Sequence, residues 1–509
     1  MRLYSAKEIG RADEGAQSLG IPSGVLMERA GVEMARAAQR RFGSLERRRV
    51  LVVAGGGNNG GDGFVIAREL HRAGAEVAVF ATKDEYEGDS GTNLEILRNL
   101  NVRFVGSDRF EEELQKTNLV VDALLGTGFK GEVREKEAGF VEMMNAATAP
   151  VVAVDVPSGV DGSTGEVWGA AVRADLTACA HATKLGCVVS PGMEYAGEVA
   201  VVDIGIPHEA DVEPAATWTD AISLKGLVPR RAEVAHKYSA GSLLVVAGSA
   251  EATGAGVMVA KGAQRTGCGI IFIMTSRGAA SLVDAQLTEV LVSGVPEAEG
   301  GNMSADALES ILEQAERTSA IVVGPAMGVG EEGRKIVEGI LEGTDAPALL
   351  DADAISNLAS AEPSGIEALA RRSAPTIITP HPGEFSRLLG EGTKEIQARR
   401  LHSVRRAAEE GGCCVLLKGA DTLVAKGERV AVNSTGGAQL ATAGTGDVLS
   451  GIVGALLARG VDAYDAARVG AWAHGRAAEL WLQESGWPAE SMVATDLLSH
   501  LPRAFDEIY

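Results

Sequence analysis

The run Ala443-Gly444-Thr445-Gly446 delivers an aspartate, Asp447, into a stretch, Val448-Leu449-Ser450-Gly451, that reads as the first turns of a helix. Four small residues leave backbone N–H groups free to face a phosphoryl group, with the positive end of the helix behind them. An aspartate held there can take a proton from an attacking hydroxyl. A lone aspartate at a helix start also serves as a simple cap, so the signal lies in the whole run and not in Asp447 alone. A second glycine-dense segment, Gly55-Gly56-Gly57-Asn58-Asn59-Gly60-Gly61-Asp62-Gly63, follows an apolar run and precedes a helical pattern. Its backbone can approach a phosphate. It matches neither the GxGxxG dinucleotide fingerprint nor a Walker loop, and it reads equally as a turn that closes a strand onto a helix. Two more polar loops, Asp122 to Gly131 and Asp155 to Gly162, leave apolar runs. Ligands of open α/β sheets bind at strand C-termini, so these three loops are expected to converge on one crevice. Asp122 and Asp155, with Asn59 and Ser158, offer hard oxygen ligands whose small number suits a monovalent cation.

These loops need a scaffold, and the hydrophobic pattern supplies one. Apolar runs at 50–54, 77–80, 103–105, 119–122 and 151–155 read as strands, and 63–73, 91–100 and 135–147 as helices between them. Residues 6–39 read as a leading helical stretch. A second series of strands is expected at 243–247, 270–274, 320–324, 348–351, 376–379 and 415–418. A hairpin at 421–425 and 429–432 and helices at 447–458 and 463–481 complete it. Such alternation predicts parallel sheets covered on both faces. Residues 206–240 carry Pro207, Pro214 and Pro229 with little periodicity and read as the boundary. The two halves look like different α/β domains and not a duplication.

Bulk properties narrow the function. The 509 residues carry a formal charge of −22, a surface that repels nucleic acid and anionic membranes. No apolar run of about 18 residues occurs, so no membrane span is expected. The five cysteines form no CxxC pair, which predicts reduced, buried thiols and a cytoplasmic location.

The segments NNGGDGF, DALLGTGFKG and DVPSGVDG resemble those of NAD(P)H-hydrate epimerases, with a Rossmann-like three-layer fold implied for residues 1–213. That resemblance implies that Asn58, Asn59, Gly60, Gly61 and Asp62, together with Gly126, Thr127, Gly128, Phe129, Lys130, Gly131 and Glu132, contact a hydrated dinucleotide. It further implies that Asn59, Asp122 and Ser158 bind a potassium ion and that Asp155 touches substrate as the acid/base, with Lys184 nearby. The AGTGDVLSG run is similar to ribokinase-like enzymes. Gly248-Ser249, Gly254-Ala255-Gly256, Thr379 to Glu384 and Leu417 to Thr422 narrow this to ADP-dependent NAD(P)H-hydrate dehydratases, a ribokinase-like α/β domain over residues 222–509. There Lys418, Gly419, Ala420, Asp421, Thr422 and Gly446 would hold ADP, with magnesium as the expected companion. Ala255, Gly328, His381 and Asp447 would face the hydrated nicotinamide. Two departures stand out. The family's GPGLG is Gly324-Pro325-Ala326-Met327-Gly328 here, where the alanine would narrow the backbone approach to substrate, and Ser356 stands where an asparagine is common. The implied activity is repair of hydrated NADH and NADPH, by a homo-oligomer. The alternative is a ribokinase-like kinase of a small hydroxyl compound with a non-catalytic N-terminal binding module.

Overall fold

The computed structural model describes residues 2–231, 234, 237, 240–361 and 365–509, so part of the expected boundary at 206–240 lies outside the described residues. The chain forms two compact units. One is Met1–Thr217 with Ala398–Leu401, and the other is Trp218–Gln397 with His402–Tyr509. Among the described residues no helix is long and apolar enough to cross a membrane.

The first unit is built on seven parallel strands in the order Arg103–Phe104, Glu76–Ala81, Arg49–Ala54, Leu119–Ala123, Val151–Val154, Leu176–Ala180 and Glu198–Val202. Successive side chains of a strand point to opposite faces. Val50 and Val52 enter a core with Met34 and Phe64, while Leu51 and Val53 enter another with Phe110 and Phe140. Burial on both faces is what the unbroken apolar runs require, and it makes three layers. The chain winds outward from Arg49–Ala54 and then jumps to its other side at Leu119–Ala123. The crevice of such a sheet opens at that reversal.

The expected leading helix is two, Ala6–Ser18 and Ser23–Phe42. Gly20 at φ +93° and Pro22 break them, since Pro22 cannot continue the first helix but can start the second. The helix expected at 63–73 spans Asn58–Arg72 instead. Gly60, Gly61 and Gly63 therefore lie within the helix and allow close packing. A Cβ at Gly60 would sit 2.0 Å from the Gly55 carbonyl, and one at Gly63 would sit 2.7 Å from Ala123 Cβ. A short strand, Arg2–Tyr4, pairs in parallel with Thr183–Lys184 and carries helix Ala6–Ser18 to that part of the unit.

In the second unit the strands lie in the order Leu291–Val295, Ile270–Ser276, Ser242–Val246, Ala320–Val323, Ala348–Leu350, Thr376–Ile378, Cys414–Leu417, Leu423–Lys426 and Arg429–Asn433. The pairs are parallel as far as Cys414–Leu417, and Leu423–Lys426 then runs antiparallel to both Cys414–Leu417 and Arg429–Asn433. Helix Thr445–Ala458 is apolar all round and is buried in this unit's core. It packs on helix Gly254–Arg265 through mutual glycines. A Cβ at Gly451 would lie 2.1 Å from the Val259 carbonyl, and one at Gly262 would lie 2.6 Å from the Val448 carbonyl. This contact fixes the start of the helix, and with it Asp447.

Candidate active sites

In the first unit the polar loops do meet at the strand C-termini. Asp122, next to last in its strand, is fully buried and accepts hydrogen bonds from Ser158 N (2.8 Å), Ser158 Oγ (2.6 Å) and Leu124 N (3.2 Å). Burial pushes its carboxyl up to about 6, against those hydrogen bonds. Asn59 joins through its amide, which donates to the Leu125 carbonyl at 3.0 Å, and Leu125 N donates to Ser158 Oγ at 2.8 Å. The expected cation ligands are therefore brought together. Their donors are all oxygens with a single carboxylate, a set that fits a monovalent ion better than a divalent one. Of the expected dinucleotide contacts, Asn58, Gly128, Lys130, Gly131 and Glu132 are exposed, and Asn59, Asp62, Gly126, Thr127 and Phe129 are half-buried. Gly60 and Gly61 are buried, and packing alone accounts for their lack of a side chain.

Asp155 follows strand Val151–Val154 at φ +68°, a conformation that non-glycine residues rarely hold and that clusters at functional sites. Its Oδ1 accepts from Ala180 N at 2.9 Å and pairs with the ammonium of Lys184, which is completely buried. Lys184 also donates to the Ala180 carbonyl at 2.5 Å. Burial opposes the charge of Lys184, but Asp155 and Cys179 outweigh it and raise the ammonium's pKa. Asp13, on helix Ala6–Ser18, was not anticipated from the sequence. Its carboxyl is raised by burial, lowered by Lys184 and raised again by Asp155. No motif marks it, because it arrives from a helix that sequence alone places outside the sheet.

In the second unit Asp447 stands in the first turn of helix Thr445–Ala458, behind Gly444 at φ +87°. Thr445 Oγ1 ties the turn to the carbonyls of Leu440 (3.0 Å) and Thr442 (2.9 Å). Lys418 leaves strand Cys414–Leu417 and donates to Asp351 Oδ1 at 2.9 Å, while Ser450 donates to Asp351 Oδ2 at 2.7 Å. Burial pushes Asp447 up to about 6, with Asp351 and Asp353 adding to it and Lys418 opposing. Gly446 lies beside Lys418, whose Nζ would be 3.7 Å from a Cβ there. Gly419 to Thr422 form a tight turn in which Thr422 Oγ1 both accepts from Gly419 N (3.2 Å) and donates to Gly419 O (2.8 Å). Ala420 is exposed and Asp421 is buried in that turn.

His381 caps helix Pro382–Leu389. Its Nδ1 accepts from Gly383 N at 3.0 Å, and its Nε2 lies 3.3 Å from Glu384 Oε1. With Nδ1 accepting, the proton belongs on Nε2. The side chain is half exposed, so it is a helix cap with an open edge and not a core histidine. Ala255 sits in the first turn of helix Gly254–Arg265. Gly328 donates to Asp353 Oδ2 at 3.0 Å, and its carbonyl accepts from Asn357 Nδ2 at 3.0 Å. Asn357 Oδ1 also accepts from Gly330 N at 2.9 Å. The residue after Ser356 thus supplies a buried amide that shapes the Gly328 turn, while Ser356 itself accepts from Arg387 at 3.3 Å. Asp351, Asp353, Asn357, Glu384 and Ser450 escaped the residue-level reading. An acidic residue at the end of an apolar run was the available signal for Asp351.

Ala326 holds φ +53°, so this position favours glycine. Ala326→Gly should stabilise the second unit by about 1 kcal/mol and raise its thermal midpoint by about 2–4 °C. Calorimetry of the two proteins checks this, and an unchanged or lower midpoint would show that the alanine is not strained.

Comparison with known proteins follows the same division. Residues 243–503 match the family model described as NAD(P)H-hydrate dehydratase, and residues 23–186 match the one described as YjeF-related protein N-terminus. The bifunctional NAD(P)H-hydrate repair enzyme Nnr of Moorella thermoacetica is 38% identical over 515 residues, covering 99% of this chain and 96% of that protein. The Pyrobaculum aerophilum protein of the same name is 37% identical, covering 99% and 98%. A solved structure, the ADP/ATP-dependent NAD(P)H-hydrate dehydratase of Bacillus subtilis co-crystallised with ATP and Mg2+, is 29% identical, covers 58% of this chain and 99% of its own, and has a TM-score of 0.48. The chain belongs to the family of bifunctional NAD(P)H-hydrate repair enzymes.

Proposed function

We propose that residues 1–213 interconvert the R and S forms of hydrated NADH and NADPH, and that residues 222–509 dehydrate the S form with ADP, giving NAD(P)H, AMP and phosphate. The observation that carries this reading is Asp447, set behind small residues at a helix start and beside the half-buried Lys418. In the dehydratase step Asp447 takes the proton of the hydrate's hydroxyl. The freed oxygen attacks the terminal phosphorus of ADP and AMP departs. The ring nitrogen's lone pair then expels phosphate, and loss of a proton from the neighbouring carbon restores the dihydropyridine. Phosphate leaves where hydroxide would not. Lys418 and the Gly419–Thr422 turn hold the nucleotide, the amides of the Gly444–Gly446 turn face its terminal phosphate, and Ala255, Gly328 and His381 line the nicotinamide side.

Among the described residues no group of three or more His, Cys, Asp or Glu side chains is arranged to hold a metal. Magnesium bound mainly through phosphate oxygens and water needs none. In the epimerase unit, Asn59, Asp122 and Ser158 would hold potassium, whose charge would offset the buried Asp122 carboxylate. Replacing potassium with tetramethylammonium should slow epimerisation and spare dehydration, and Asp122→Asn should abolish the difference between the two salts. Equal epimerisation rates in both salts for the unaltered protein would remove the potassium assignment. The cytoplasmic reading is supported by the five unpaired, buried cysteines.

The test is recovery of dihydronicotinamide absorbance from mixed NADHX epimers with ADP or ATP, less the spontaneous rate. Complete, rapid recovery with ADP is expected. Recovery that stalls at the S fraction would leave the first unit as a binding module. No recovery with either nucleotide would return the hydroxyl-kinase reading.

A further inference from the structure

Among the described residues Lys184 is the one lysine inside a group of carboxyls drawn from three separate elements: Asp13 of helix Ala6–Ser18, Asp62 of helix Asn58–Arg72 and Asp155 after strand Val151–Val154. Asp155 is held in place through its Oδ1, which takes both the Lys184 ammonium and Ala180 N. Among the described residues neither Asp13 nor Asp62 accepts a hydrogen bond from the protein. Asp62 stands one turn into the segment that opens the crevice, so its carboxyl is free for a substrate while Asp155 is held in place. Resting on the epimerase reading above, we propose that Asp62 is the acid and Asp155 the base of one epimerisation step, and that Asp13 is a positioning residue acting through Asp62.

The step balances without a further reactant. Asp155 takes the proton of the ring hydroxyl, the oxygen's electrons form a carbonyl, and the adjacent carbon–nitrogen bond breaks. Asp62 gives its proton to the departing ring nitrogen. The open aldehyde rotates, and the nitrogen then adds to the other face of the carbonyl. Its proton returns to Asp62, and Asp155 returns its own to the oxygen. Two groups are required because the two protons move at different atoms in opposite directions.

The electrostatics agree with this division. Burial pushes the Asp62 carboxyl well above the usual range, and the charges of Asp155 and Asp13 push it further, against Lys184. One lysine faces three carboxylates here, and of the three Asp62 is pushed furthest toward its protonated form. The other groups facing the cluster are His181, which acts on Asp13, and the buried pair Cys179 and Cys187, which act on Lys184.

The experiment is chromatographic separation of the epimers during their exchange from pH 5 to 9, with the full chain and no ADP. Dehydration of the S epimer by the same preparations, with ADP, reports an intact second unit, and thermal unfolding followed by circular dichroism reports on the first. The unaltered protein should lose activity toward the alkaline end, as Asp62 gives up its proton. Asp62→Asn should be slower by about 10²–10⁴-fold and lose the alkaline limb, while Asp62→Glu retains it. Asp13→Asn removes a negative charge that favours the protonated Asp62, so its alkaline limb should move to lower pH. A merely structural Asp13 would lower the rate at every pH and leave that limb in place. Asp62→Asn at the wild-type rate would overturn the acid assignment, and an unmoved limb in Asp13→Asn would overturn the positioning role. An unaltered chain that fails to exchange the epimers would remove the epimerase reading and the pair with it.

Discussion

Asp447→Asn should keep the second unit folded and able to hold ADP while dehydration falls by about 10²–10⁴-fold. The amide keeps the size of the carboxylate but cannot take the hydroxyl proton. Burial, Asp351 and Asp353 place the Asp447 carboxyl at about 6. A base must be ionised, so kcat/KM for the S epimer should be level above pH 7 and fall about tenfold per unit below about 6. The variant's residual activity should lack that fall. The same burial costs stability. A carboxyl raised in the folded state favours folding below its unfolded value, and that contribution is lost as pH rises through about 6. Asp447→Asn should therefore be more stable than the unaltered protein at pH 7.5, by about 2–3 kcal/mol, and no more stable at pH 4. Dehydration rates from pH 5 to 8 and urea unfolding at the two pH values check both halves. A wild-type rate that stays level down to pH 5 would show that Asp447 is not the base.

The loop motifs were the legible part of both sites. Asp122, Ser158 and Asn59 meet because each lies near a strand's end, in the loop beyond one or at the helix start that follows one, at the same edge of a parallel sheet, and a parallel sheet is what unbroken apolar runs demand. Asp447 was equally legible, since a run of small residues before a fully apolar helix has few other uses. What escaped was set by tertiary packing. The helix start at Asn58 was hidden because three glycines in one turn argue locally against a helix, and only contact with Gly55, Ser90 and Ala123 explains them. Strand Leu291–Val295 was hidden because it is a largely exposed edge strand with Ser293 and Gly294 inside it. Strands Leu176–Ala180 and Glu198–Val202 were missed too, because neither alternates and the irregular 155–175 stretch ahead of them offered no period to follow.

The side chains behind the catalytic residues were the least legible. Asp351 is clasped by Lys418 and Ser450, which lie 67 and 99 positions away. No local pattern can announce such a contact. Asn357 is similar: it reads as an ordinary helix residue, yet its amide shapes the turn at Gly328 and Gly330. Sequence locates the groups that touch a ligand, because loops carry them in recognisable runs. It does not locate the groups that hold those loops, because they are chosen by distance in space.

Lys184→Met should be the most damaging change in the first unit. The lysine is fully buried and paired with Asp155, and methionine matches its length without its charge. Removing one partner of a buried pair leaves the other uncompensated, at a cost of about 3–5 kcal/mol. Epimerisation should fall below detection, while dehydration of the S epimer continues and reports an intact second unit. The dependence on pH has a definite sign. Asp13 and Asp62 are already raised by burial, and Lys184 is the charge that restrains both. Without it they rise further. Carboxyls of this kind favour folding below their unfolded value, about 4, and lose that contribution as pH rises through their folded values. The deficit of Lys184→Met should thus be largest near neutrality and shrink toward pH 4, the reverse of ordinary acid destabilisation. Adding Asp155→Asn removes the stranded charge and should recover more than half of the lost stability with no return of epimerisation. Urea unfolding of the two single variants and the double, at pH 4.5 and 7.5, closes the cycle. A double variant no more stable than Lys184→Met would mean that the lysine holds the unit together through its packing and its bond to the Ala180 carbonyl, and not by balancing the charge of Asp155.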